Sequence, residues 1–461
     1  MIWAILAIAF FLRLISLNQS LWLDEATSAL VARDFGVGEV FTLFIANDFH
    51  TPLSYVLQYF WQNGFGSGEV ILRLFSVIAG LGSIYLTYLI AKELFAKRVG
   101  YLAAAFLATS GLHVYYSQEA RAYMLSTFLV TALIYLFLKL MKGGNWKYWA
   151  LFSVTLVINS FVDYLPNLIL PVFWIYALIA KKDKAWWKRF LLAHLPLVVA
   201  WFLWMPIFSW QLVGGLGVKT SAPGWWKILG RTNFKELLLV PTKFVLGRIS
   251  FYNKALYAVV AGGVLFAYLA LIIGTLHSTL KKKGYQLIIL WLLIPVLLAA
   301  ALGFWVSVFS YFRLIFVLPA LFILLAAAIS KLDKKLFVPA VALVFLVNII
   351  STGAYLSNER FHREDWRGFT EFVEKDSGDN YIVLFVADSN MEAYKYYDNS
   401  ANIAGPDALD GSHETIYLMR YLKDVFDPED RLRSEIENLG FEKQSEHDFN
   451  GIVVWKYENT N

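Results

Sequence analysis

The stretch Leu21-Trp22-Leu23-Asp24-Glu25-Ala26 places two adjacent carboxylates directly after an apolar run, Met1 to Leu17. At about 1.5 Å of rise per helical residue, that run crosses or nearly crosses a bilayer, so Asp24 and Glu25 are predicted to lie just outside the lipid. Acids at such a boundary are costly to desolvate, and they serve in chemistry, in cation binding or in starting a helix. The pair alone leaves two interpretations open: a catalytic pair, or an Asp24 N-cap ahead of a short helix over residues 25–33.

The amino-acid composition is that of a membrane protein. Of the 461 residues, 58% are hydrophobic, 17% are aromatic and only 16% are charged. Soluble domains carry roughly 25% charged residues, so the composition predicts a polytopic α-helical membrane protein. The sequence contains no cysteine, which excludes a disulfide framework, a cysteine metal site and a thiol nucleophile. The first apolar run has neither a basic leader nor a small-residue cleavage site, and we interpret it as a retained span.

The charges divide the chain into two parts. Residues 1–356 carry 29 Lys or Arg and 12 Asp or Glu, whereas residues 357–461 carry 11 and 23. We therefore predict a transmembrane domain over 1–356 and a soluble C-terminal domain, the tail, over 357–461. An acidic tail repels phosphates, which argues against a nucleic-acid partner.

Apolar runs recur along the first part and predict about eleven transmembrane helices. They cover residues 1–17, 69–91, 99–116, 122–141, 146–162, 165–180, 190–210, 255–277, 286–303, 314–330 and 336–356. Basic residues gather in alternate connections, while the short connections between them are nearly free of Lys and Arg. By the positive-inside rule, this pattern predicts a cytoplasmic N-terminus, with the Asp24 region and the tail on the outer face of the cytoplasmic membrane.

Four outer segments are predicted to surround the candidate site. Residues 18–68 are expected to form amphipathic helices at the membrane interface. His113 to Tyr123 is a polar and aromatic cluster, and Gln211 to Lys254 is rich in Trp, Gly and Pro, which suggests a lid. The tail is predicted to be a small accessory α/β domain rather than the catalytic unit. Its expected helices lie near 365–375, 391–397 and 428–439, and its expected strands at 381–386 and 452–457.

Several motifs occur in one order and resemble those of a known superfamily. They are Leu21-Trp22-Leu23-Asp24-Glu25-Ala26, His50-Thr51-Pro52-Leu53-Ser54-Tyr55, Arg73-Leu74-Phe75-Ser76 and Tyr116-Ser117-Gln118-Glu119-Ala120-Arg121-Ala122-Tyr123. The combination looks like the GT-C glycosyltransferases of the dolichyl-phosphate-mannose-protein mannosyltransferase and aminoarabinose transferase superfamily. One departure is His50-Thr51-Pro52, where many relatives read His-Pro-Pro. Arg363-Glu364-Asp365-Trp366-Arg367 also resembles a segment common in bacterial relatives, and it is a candidate to dock on the outer loops.

The resemblance implies a GT-C fold and a polyprenyl-phosphate sugar as donor. It assigns the role of catalytic base to Asp24, the acid of the first outer loop. The acceptor would be a protein, a lipid or a glycan, and membrane lipid surrounds the enzyme. No cofactor is expected to be required.

The residue types independently suit transfer of a sugar from a lipid phosphate. The reaction needs a base for the incoming hydroxyl and an anionic partner for an oxocarbenium-like state, and the candidate catalytic residues are Asp24, Glu25 and Glu119. The leaving phosphate needs cations or hydrogen-bond donors. With one base attacking opposite the phosphate, the anomeric configuration is expected to invert. The candidate substrate-binding residues are His50, Arg73, Tyr116, Gln118, Arg121, Tyr123 and Arg313.

Several of these charged residues also have a purely structural interpretation. Arg73 and Arg13 are long enough to snorkel to the interface, Arg313 can mark the end of a span, and Glu119 with Arg121 can simply belong to a loop. A divalent metal is weakly indicated, and if one binds, its expected ligands are Asp24, Glu25, Asp48 and His50.

Two other classes of protein remain open from the sequence. A transporter also has many spans and intramembrane charge, but it binds near the midplane and often shows duplicated halves. Here the charged groups gather at one face and no duplication is visible. The second alternative is a non-catalytic membrane scaffold of the cell envelope that recruits partners through the tail.

Overall fold

The computed structural model of the protein describes residues 1–45, 48–221, 223–228, 230–277, 279, 282–398, 402–409 and 411–459. Its first part is helical throughout. The helices are α1 (Ile2–Leu14), α2 (Leu23–Asp34), α3 (Val37–Glu39), α4 (Leu53–Phe65), α5 (Glu69–Leu94), α6 (Lys97–Thr109), α7 (Gly111–Ser117), α8 (Ala122–Met141), α9 (Trp146–Val162), α10 (Leu170–Ile179), α11 (Lys184–Ser221), α12 (Pro223–Ile228), α13 (Phe234–Leu246), α14 (Lys254–Leu276), α15 (Lys283–Leu302), α16 (Leu318–Ile329) and α17 (Lys334–Ser357).

Long apolar helices dominate this part, as the composition predicts. Within the described residues, six helices are long and apolar enough to cross a membrane, namely α5, α8, α11, α14, α15 and α17. Every one of the predicted apolar runs coincides with one helix or with two consecutive helices. The number of crossings and their orientation stay predictions.

The centre of the bundle is formed by α5, α6, α8 and α16, which pack against one another. All residues of α16 from Leu318 to Ile329 are buried except Leu321, which is partly buried, whereas α14 and α17 expose most of their surface. The run predicted at 99–116 breaks at Ser110, which has extended backbone torsions. Gly111 follows, and a Cβ at this position would lie 2.3 Å from Ser351 Oγ. Only glycine therefore allows α7 to approach α17 this closely.

Helix α11 is much longer than the run that predicts it. Its 38 residues span about 57 Å, against a hydrocarbon core of about 30 Å. Its last turns reach the first long loop, which we define as residues 15–68. There the Gln211 side chain donates to the carbonyl oxygens of Ile45 (3.2 Å) and His50 (3.0 Å). The predicted lid over Gln211 to Lys254 is therefore built largely from α11, α12 and α13, and its mobility stays a prediction.

The first long loop contains the helices expected there. Helices α2 and α4 flank α3 and a π-helical turn, and Phe41, Leu43 and Phe60 are exposed along them. The N-cap interpretation of Asp24 is wrong. Helix α2 begins at Leu23, its N-cap residue is Trp22, and no side chain caps it. Asp24 therefore lies inside the first turn of α2.

The tail forms the predicted α/β domain. Its helices are α18 (Trp366–Asp376), α19 (Glu392–Tyr397), α20 (Lys423–Phe426) and α21 (Arg431–Asn438), and its strands are β1 (Tyr381–Phe385), β2 (Ile403–Ala404), β3 (Thr415–Met419), β4 (Phe441–Asp448) and β5 (Val453–Asn459). The strand order is β2-β1-β3-β5-β4, with β1 parallel to β2 and β3, and β5 antiparallel to β3 and β4. The predicted elements correspond to β1, β5, α18, α19 and α21, whereas the central strand β3, the edge strands β2 and β4 and the short helix α20 were not predicted.

The tail packs directly on helix α2. Leu21 and Leu23 lie in the same buried cluster as Trp366 and Phe369 of α18. The Tyr397 hydroxyl of α19 accepts a hydrogen bond from the main-chain N–H of Leu21 at 2.7 Å. One side of α2 is thus part of the tail's apolar core. The division at residue 356 therefore separates a helical part from an α/β part, and the two parts share buried contacts.

Candidate active site

Asp24 and Glu25 point to different sides of α2. Consecutive residues of an α-helix are separated by about 100° around its axis, so adjacent carboxylates cannot share one face. The Glu25 side chain is 0% exposed and the Asp24 side chain is 38% exposed. The two acids therefore have different environments, although they are neighbours in the sequence.

Glu25 forms a buried bidentate ion pair with Arg73 of α5. Arg73 Nε donates to Glu25 Oε1 at 2.9 Å, and Arg73 Nη2 donates to Oε2 at 2.6 Å. The remaining N–H groups of Arg73 bind the carbonyl oxygens of Leu17, Gln19 and Ser20. Every donor of Arg73 is occupied by protein. This corrects the prediction that Arg73 binds substrate, and it equally excludes snorkelling, because the side chain is fully buried.

Arg363 of the tail joins this ion pair. Its Nε lies 3.4 Å from Glu25 Oε2, and its guanidinium stacks over the Tyr115 ring at 4.5 Å. The main-chain N–H of Ala120 also donates to Glu25 Oε1 at 2.6 Å. Burial by itself raises the pKa of Glu25, but the charges of Arg73 and Arg363, together with these hydrogen bonds, outweigh it and hold the pKa below its ordinary value. Glu25 is therefore a buried, ionised group without access to a substrate.

Glu119 contacts the other side of the same arginine. Arg363 Nη2 donates to Glu119 Oε2 at 3.2 Å, while Glu119 Oε1 is buried without a hydrogen-bond partner among the described residues. Burial raises the pKa of Glu119 to about 7, the charge of Arg363 opposes this rise, and the charge of Glu25 adds to it. Glu119 is consequently a buried group that exchanges a proton near neutral pH.

Asp24 is held by Arg121, which precedes α8. Arg121 Nη2 lies 3.5 Å from Asp24 Oδ2, and Arg121 Nη1 donates to the Asp24 carbonyl oxygen at 3.2 Å and to Ser28 Oγ at 3.0 Å. The Arg121 side chain is only 9% exposed. A buried guanidinium thus positions a carboxylate that is still open to its surroundings, which is the arrangement that a general base requires.

His50 lies on the other side of Arg121. Its Nδ1 hydrogen-bonds Asp48 Oδ1 at 3.0 Å, and its Nε2 faces Arg121 Nη2 at 3.4 Å. Because the guanidinium can only donate, this geometry favours the His50 tautomer with the proton on Nδ1. Burial raises the pKa of Asp48, but the charge of His50 and hydrogen bonds from His50 and Tyr55 more than reverse this and lower it. Asp48 therefore orients His50 toward Arg121.

Aromatic rings lie beside these polar groups. Tyr123 makes an edge contact with Tyr116 (5.5 Å between ring centroids) and another with Phe312 (5.4 Å). Arg313 donates from Nη1 to the Ser307 carbonyl oxygen at 2.5 Å, and its guanidinium lies over the Phe312 ring. The predicted residues Tyr116, Tyr123 and Arg313 therefore lie together around the Phe312 ring, next to Arg121.

Gln118 does not belong to that region. Its Nε2 donates to the carbonyl oxygens of Arg13 (3.0 Å) and Ile15 (2.6 Å), where it caps the end of α1. The side chain is fully buried. This corrects the prediction that Gln118 binds substrate. Arg13 is also buried, and it bonds to Ser117 and His113 inside the bundle.

Three charged residues of this region were not among the predicted site residues. Arg363 was predicted only as part of a docking segment. Arg248, between α13 and α14, is exposed, donates to the Tyr311 hydroxyl at 2.9 Å and lies over the Tyr115 ring. Asp163 lies at the end of α9. Burial raises its pKa, and the nearby charges of His50, Arg313 and Arg121 partly offset this rise. Asp163 follows a predicted span on the same side as Arg121, and this position could have identified it as a candidate site residue.

The four candidate metal ligands are not assembled as one set. Asp48 and His50 contact each other, Asp24 faces Arg121, and Glu25 is enclosed by two arginines. Within the described ranges, no group of three or more His, Asp or Glu side chains could hold a metal ion. The residues present thus do not fit the predicted site, and whether the reaction uses a metal stays a prediction.

Comparisons with known proteins agree with this architecture. The family model for dolichyl-phosphate-mannose-protein mannosyltransferase matches residues 49–210. Among solved structures, ArnT from Cupriavidus metallidurans in the apo state aligns with a TM-score of 0.63 at 14% identity, over 98% of this chain and 97% of that chain. The family model covers less than half of the chain, and structures at such low identity show a shared fold alone. Both findings agree with the resemblance drawn from the motifs.

Two further structures share the GT-C fold. ArnT bound to undecaprenyl phosphate aligns with a TM-score of 0.59 at 13% identity, over 99% of this chain and 97% of that chain. The Archaeoglobus fulgidus oligosaccharyltransferase tethered with an acceptor peptide aligns with a TM-score of 0.55 at 12% identity, over 100% of this chain and 74% of that chain. A comparison with curated proteins found no match. Asp24 and Glu25 precede the matched residues 49–210, so the family model says nothing about them, and their roles are argued from the geometry described above.

Proposed function

We propose that this GT-C protein transfers a single sugar from a polyprenyl-phosphate donor to an acceptor hydroxyl at the outer face of the cytoplasmic membrane, with inversion. The observation that carries the proposal is the contrast among the three candidate acids. Asp24 is partly exposed and oriented by Arg121, whereas Glu25 and Glu119 are buried around Arg363. One accessible carboxylate beside several arginines fits a base next to an anionic leaving group.

In the proposed step, Asp24 accepts the proton of the acceptor hydroxyl. The hydroxyl oxygen forms a bond to the anomeric carbon, and the bond from that carbon to the donor phosphate oxygen breaks. The phosphate oxygen keeps the electron pair, so polyprenyl phosphate leaves as an anion and no general acid is needed. Because attack comes from the side opposite the phosphate, the configuration inverts.

The leaving phosphate requires cations near Asp24. Arg121 contributes one positive charge at that point, and Arg248 and Arg313 approach the same aromatic region through Tyr311 and Phe312. These three arginines replace Arg73, whose donors are all occupied. ArnT, which shares the fold, has been captured with undecaprenyl phosphate, and this supports a donor of the polyprenyl-phosphate class.

Glu25, Glu119, Arg73 and Arg363 are assigned a positioning role. Together they connect α2, α5, the segment before α8 and the tail through buried ion pairs. This network fixes the orientation of α2 and therefore the direction of the Asp24 carboxylate. Because preorganised groups need little rearrangement during reaction, such a framework lowers the barrier without touching substrate.

The test is release of polyprenyl phosphate by the purified protein from a panel of polyprenyl-phosphate sugars with labelled acceptors. We expect release with one or a few donors, stoichiometric with acceptor labelling, and loss of release in Asp24→Asn. Asp34→Asn is the matched control, because Asp34 is an exposed acid on the same helix, paired with Arg33. Failure to release polyprenyl phosphate from every donor, by protein that remains monodisperse, would count against the proposal.

The orientation is tested separately. Single cysteines placed in the tail and in the α8–α9 connection report the side of the membrane without interference, because the chain has no cysteine of its own. We expect a membrane-impermeant thiol reagent to label the tail from outside intact cells and to label the α8–α9 connection only after permeabilisation. The reverse pattern would overturn the outer-face assignment.

A further inference from the structure

A groove lies between the α8–α9 connection and α11. Its volume is about 640 Å³, and its lining includes Trp146, Trp149, Ala150, Arg189, Leu192 and Ala193. Helix α8 leads from Arg121, beside Asp24, to this groove over 20 residues, or about 30 Å. That length equals the hydrocarbon thickness of a bilayer. The groove is therefore at the end of the bundle opposite to the candidate active site, where a membrane surface is expected.

The surroundings of the groove are strongly basic. Residues 139–149 contain three lysines and no acid, and residues 181–189 contain five basic residues and one acid. Glu93 pairs with Lys139 at 2.5 Å and Lys142 at 3.1 Å, which neutralises part of this charge. The remaining positive charge favours an anionic ligand, since each Lys or Arg near a membrane surface attracts anionic lipid.

The groove presents a cation that the protein leaves unused. Arg189 lines it, is exposed and, within the described ranges, has no ion pair, hydrogen bond or ring contact. Trp146, in the first turn of α9, is 73% exposed, as is typical of tryptophan at a membrane interface. Arg189 and Trp146 thus supply a charge and an interfacial ring at headgroup depth, and the Trp149 ring contributes to the wall of the groove.

Hydrogen bonds join the loop before α11 to the end of α8, next to the groove. Lys182 donates from Nζ to the Met141 carbonyl oxygen at 2.6 Å, and Trp186 donates from Nε1 to the Leu140 carbonyl oxygen at 3.0 Å. Trp149, which lines the groove, makes an edge contact with Trp186 at 5.7 Å. These contacts hold the two sides of the groove together.

Beside Arg189, the side chains of Ala150, Leu192 and Ala193 form an apolar part of the groove, which we call the channel. A different groove of about 440 Å³, between α14 and α17, is lined only by apolar residues, one glycine and one threonine, and no charged group lines it. It offers no recognition of a headgroup. The groove between α14 and α17 can therefore serve as a control, because it can contact lipid chains but has no charged group to bind a headgroup.

We propose that the groove lined by Arg189 and Trp149 binds one anionic phospholipid from the leaflet opposite to the candidate active site. The phosphate of the headgroup is bound by Arg189, and an acyl chain lies along Ala150 and Ala193. A charge and an apolar channel at one site fit a lipid phosphate better than a free phosphate, which has no chain to place in the channel. This inference does not depend on the proposed glycosyl transfer.

The test measures lipid retention by native mass spectrometry and melting temperature in a neutral detergent. Wild-type protein is titrated with dioleoyl phosphatidylglycerol, dioleoyl phosphatidylcholine or inorganic phosphate. We expect phosphatidylglycerol to bind and to raise the melting temperature more than the other two. Arg189→Gln should weaken phosphatidylglycerol binding about fivefold, because one basic side chain is lost. Lys188→Gln is the matched control, since Lys188 is the exposed basic neighbour that does not line the groove, and its affinity should stay within about twofold of wild type.

A second pair of variants tests the channel. Ala150→Phe fills the proposed site and should abolish the preference for phosphatidylglycerol, whereas Ala270→Phe, in the apolar groove, should leave it intact. Equal binding of phosphatidylglycerol and phosphatidylcholine, or equal loss in Arg189→Gln and Lys188→Gln, would overturn the proposal. Stabilisation by inorganic phosphate as large as that by phosphatidylglycerol would show a phosphate site and overturn the lipid assignment.

Discussion

Asp24→Asn is the substitution that separates a catalytic carboxylate from a structural one. Asp24 lies in the first turn of α2, where a negative charge interacts favourably with the helix dipole, and its side chain does not cap the helix. The amide keeps the size and one oxygen of the carboxylate but cannot accept a proton at neutral pH. Any large effect on turnover therefore reports on chemistry.

The expected loss of stability is small. The ion pair between Asp24 and Arg121 spans 3.5 Å, and the carboxylate is more than one-third exposed, so its removal costs at most about 1 kcal/mol. Arg121 keeps its hydrogen bonds to the Asp24 carbonyl oxygen and to Ser28 Oγ, because the substitution changes neither acceptor. Helix α2 should remain in place.

The expected loss of turnover is much larger. A positioned general base contributes about 10²- to 10⁴-fold to a rate, so Asp24→Asn should lower kcat by about a hundredfold or more. A hundredfold loss corresponds to about 2.7 kcal/mol in the barrier. The expected rise in the reaction barrier is therefore larger than the expected loss of folding stability. Thermal unfolding of the variant measures the second quantity separately and shows whether the loss of turnover comes from misfolding.

The assay follows polyprenyl-phosphate release at saturating donor. Saturation matters because removal of a carboxylate near an anionic phosphate can improve donor affinity and mask the chemical defect. Asp34→Asn, on the same helix, controls for the general effect of exchanging an acid for an amide and should retain full turnover. If Asp24→Asn keeps near-full kcat at saturating donor, the assignment of Asp24 as base is wrong, and Glu119 becomes the next candidate.

Three further predictions concern the positioning network. Glu25→Gln should destabilise the protein by about 3–5 kcal/mol in thermal unfolding, because it leaves Arg73 buried without an anion and leaves Arg363 with Glu119 alone. A melting temperature like that of wild type would contradict the buried ion pair. In wild type, the pKa of Glu119 is raised by burial from 4.5 to about 7, so the folded state holds a proton that the unfolded state releases between these pH values. The unfolding free energy should therefore fall with rising pH by up to about 3 kcal/mol across this window, and Glu119→Gln should remove this slope, which melting curves from pH 4.5 to 8 will show. Deletion of 376–461 should abolish both monodisperse protein and transfer, because it uncovers the apolar side of α2; full transfer by the truncated protein would show that the shared core is dispensable.

The sequence predicted the membrane helices well because burial in lipid requires long apolar runs, and these are visible without any tertiary contact. It missed the length of α11, where Gly214, Gly215 and Gly217 favour a helix end by propensity. In the structure, α11 continues through these glycines, and Gln211 anchors it to the loop around His50. Tertiary contact outweighed local propensity at this position.

The candidate site shows the same limit more sharply. The motifs identified Asp24, His50, Glu119 and Arg121 as neighbours because they recur at one end of several spans. The resemblance assigned the base to Asp24, but the residues alone did not show that Glu25 is enclosed while Asp24 is exposed. The helix was predicted over residues 25–33, and a shift of one or two residues at its start rotates a helix face by about 100–200°.

Partners far apart in the chain were equally invisible. Glu25 and Arg73 are separated by 48 residues, and Glu119 and Arg363 by 244. No periodicity links such positions. In the tail, strand β4 was missed because its sequence Phe441–Asp448 is polar on both faces, as an edge strand allows.

The position of Arg363 explains why the tail and the candidate base belong to one unit. Arg363 follows α17 directly and enters the tail, yet its guanidinium is enclosed by Glu25 of α2 and Glu119 before α8. On the other side of α2, Leu21 and Leu23 are held in the apolar core of the tail. Helix α2 is therefore fixed by ion pairs on one face and by apolar contacts on another, and the exposed Asp24 carboxylate has little freedom to change direction. Since a misplacement of about 1 Å can cost a hundredfold in rate, substitutions in the tail should alter kcat through α2 even though no tail residue is assigned to the chemical step.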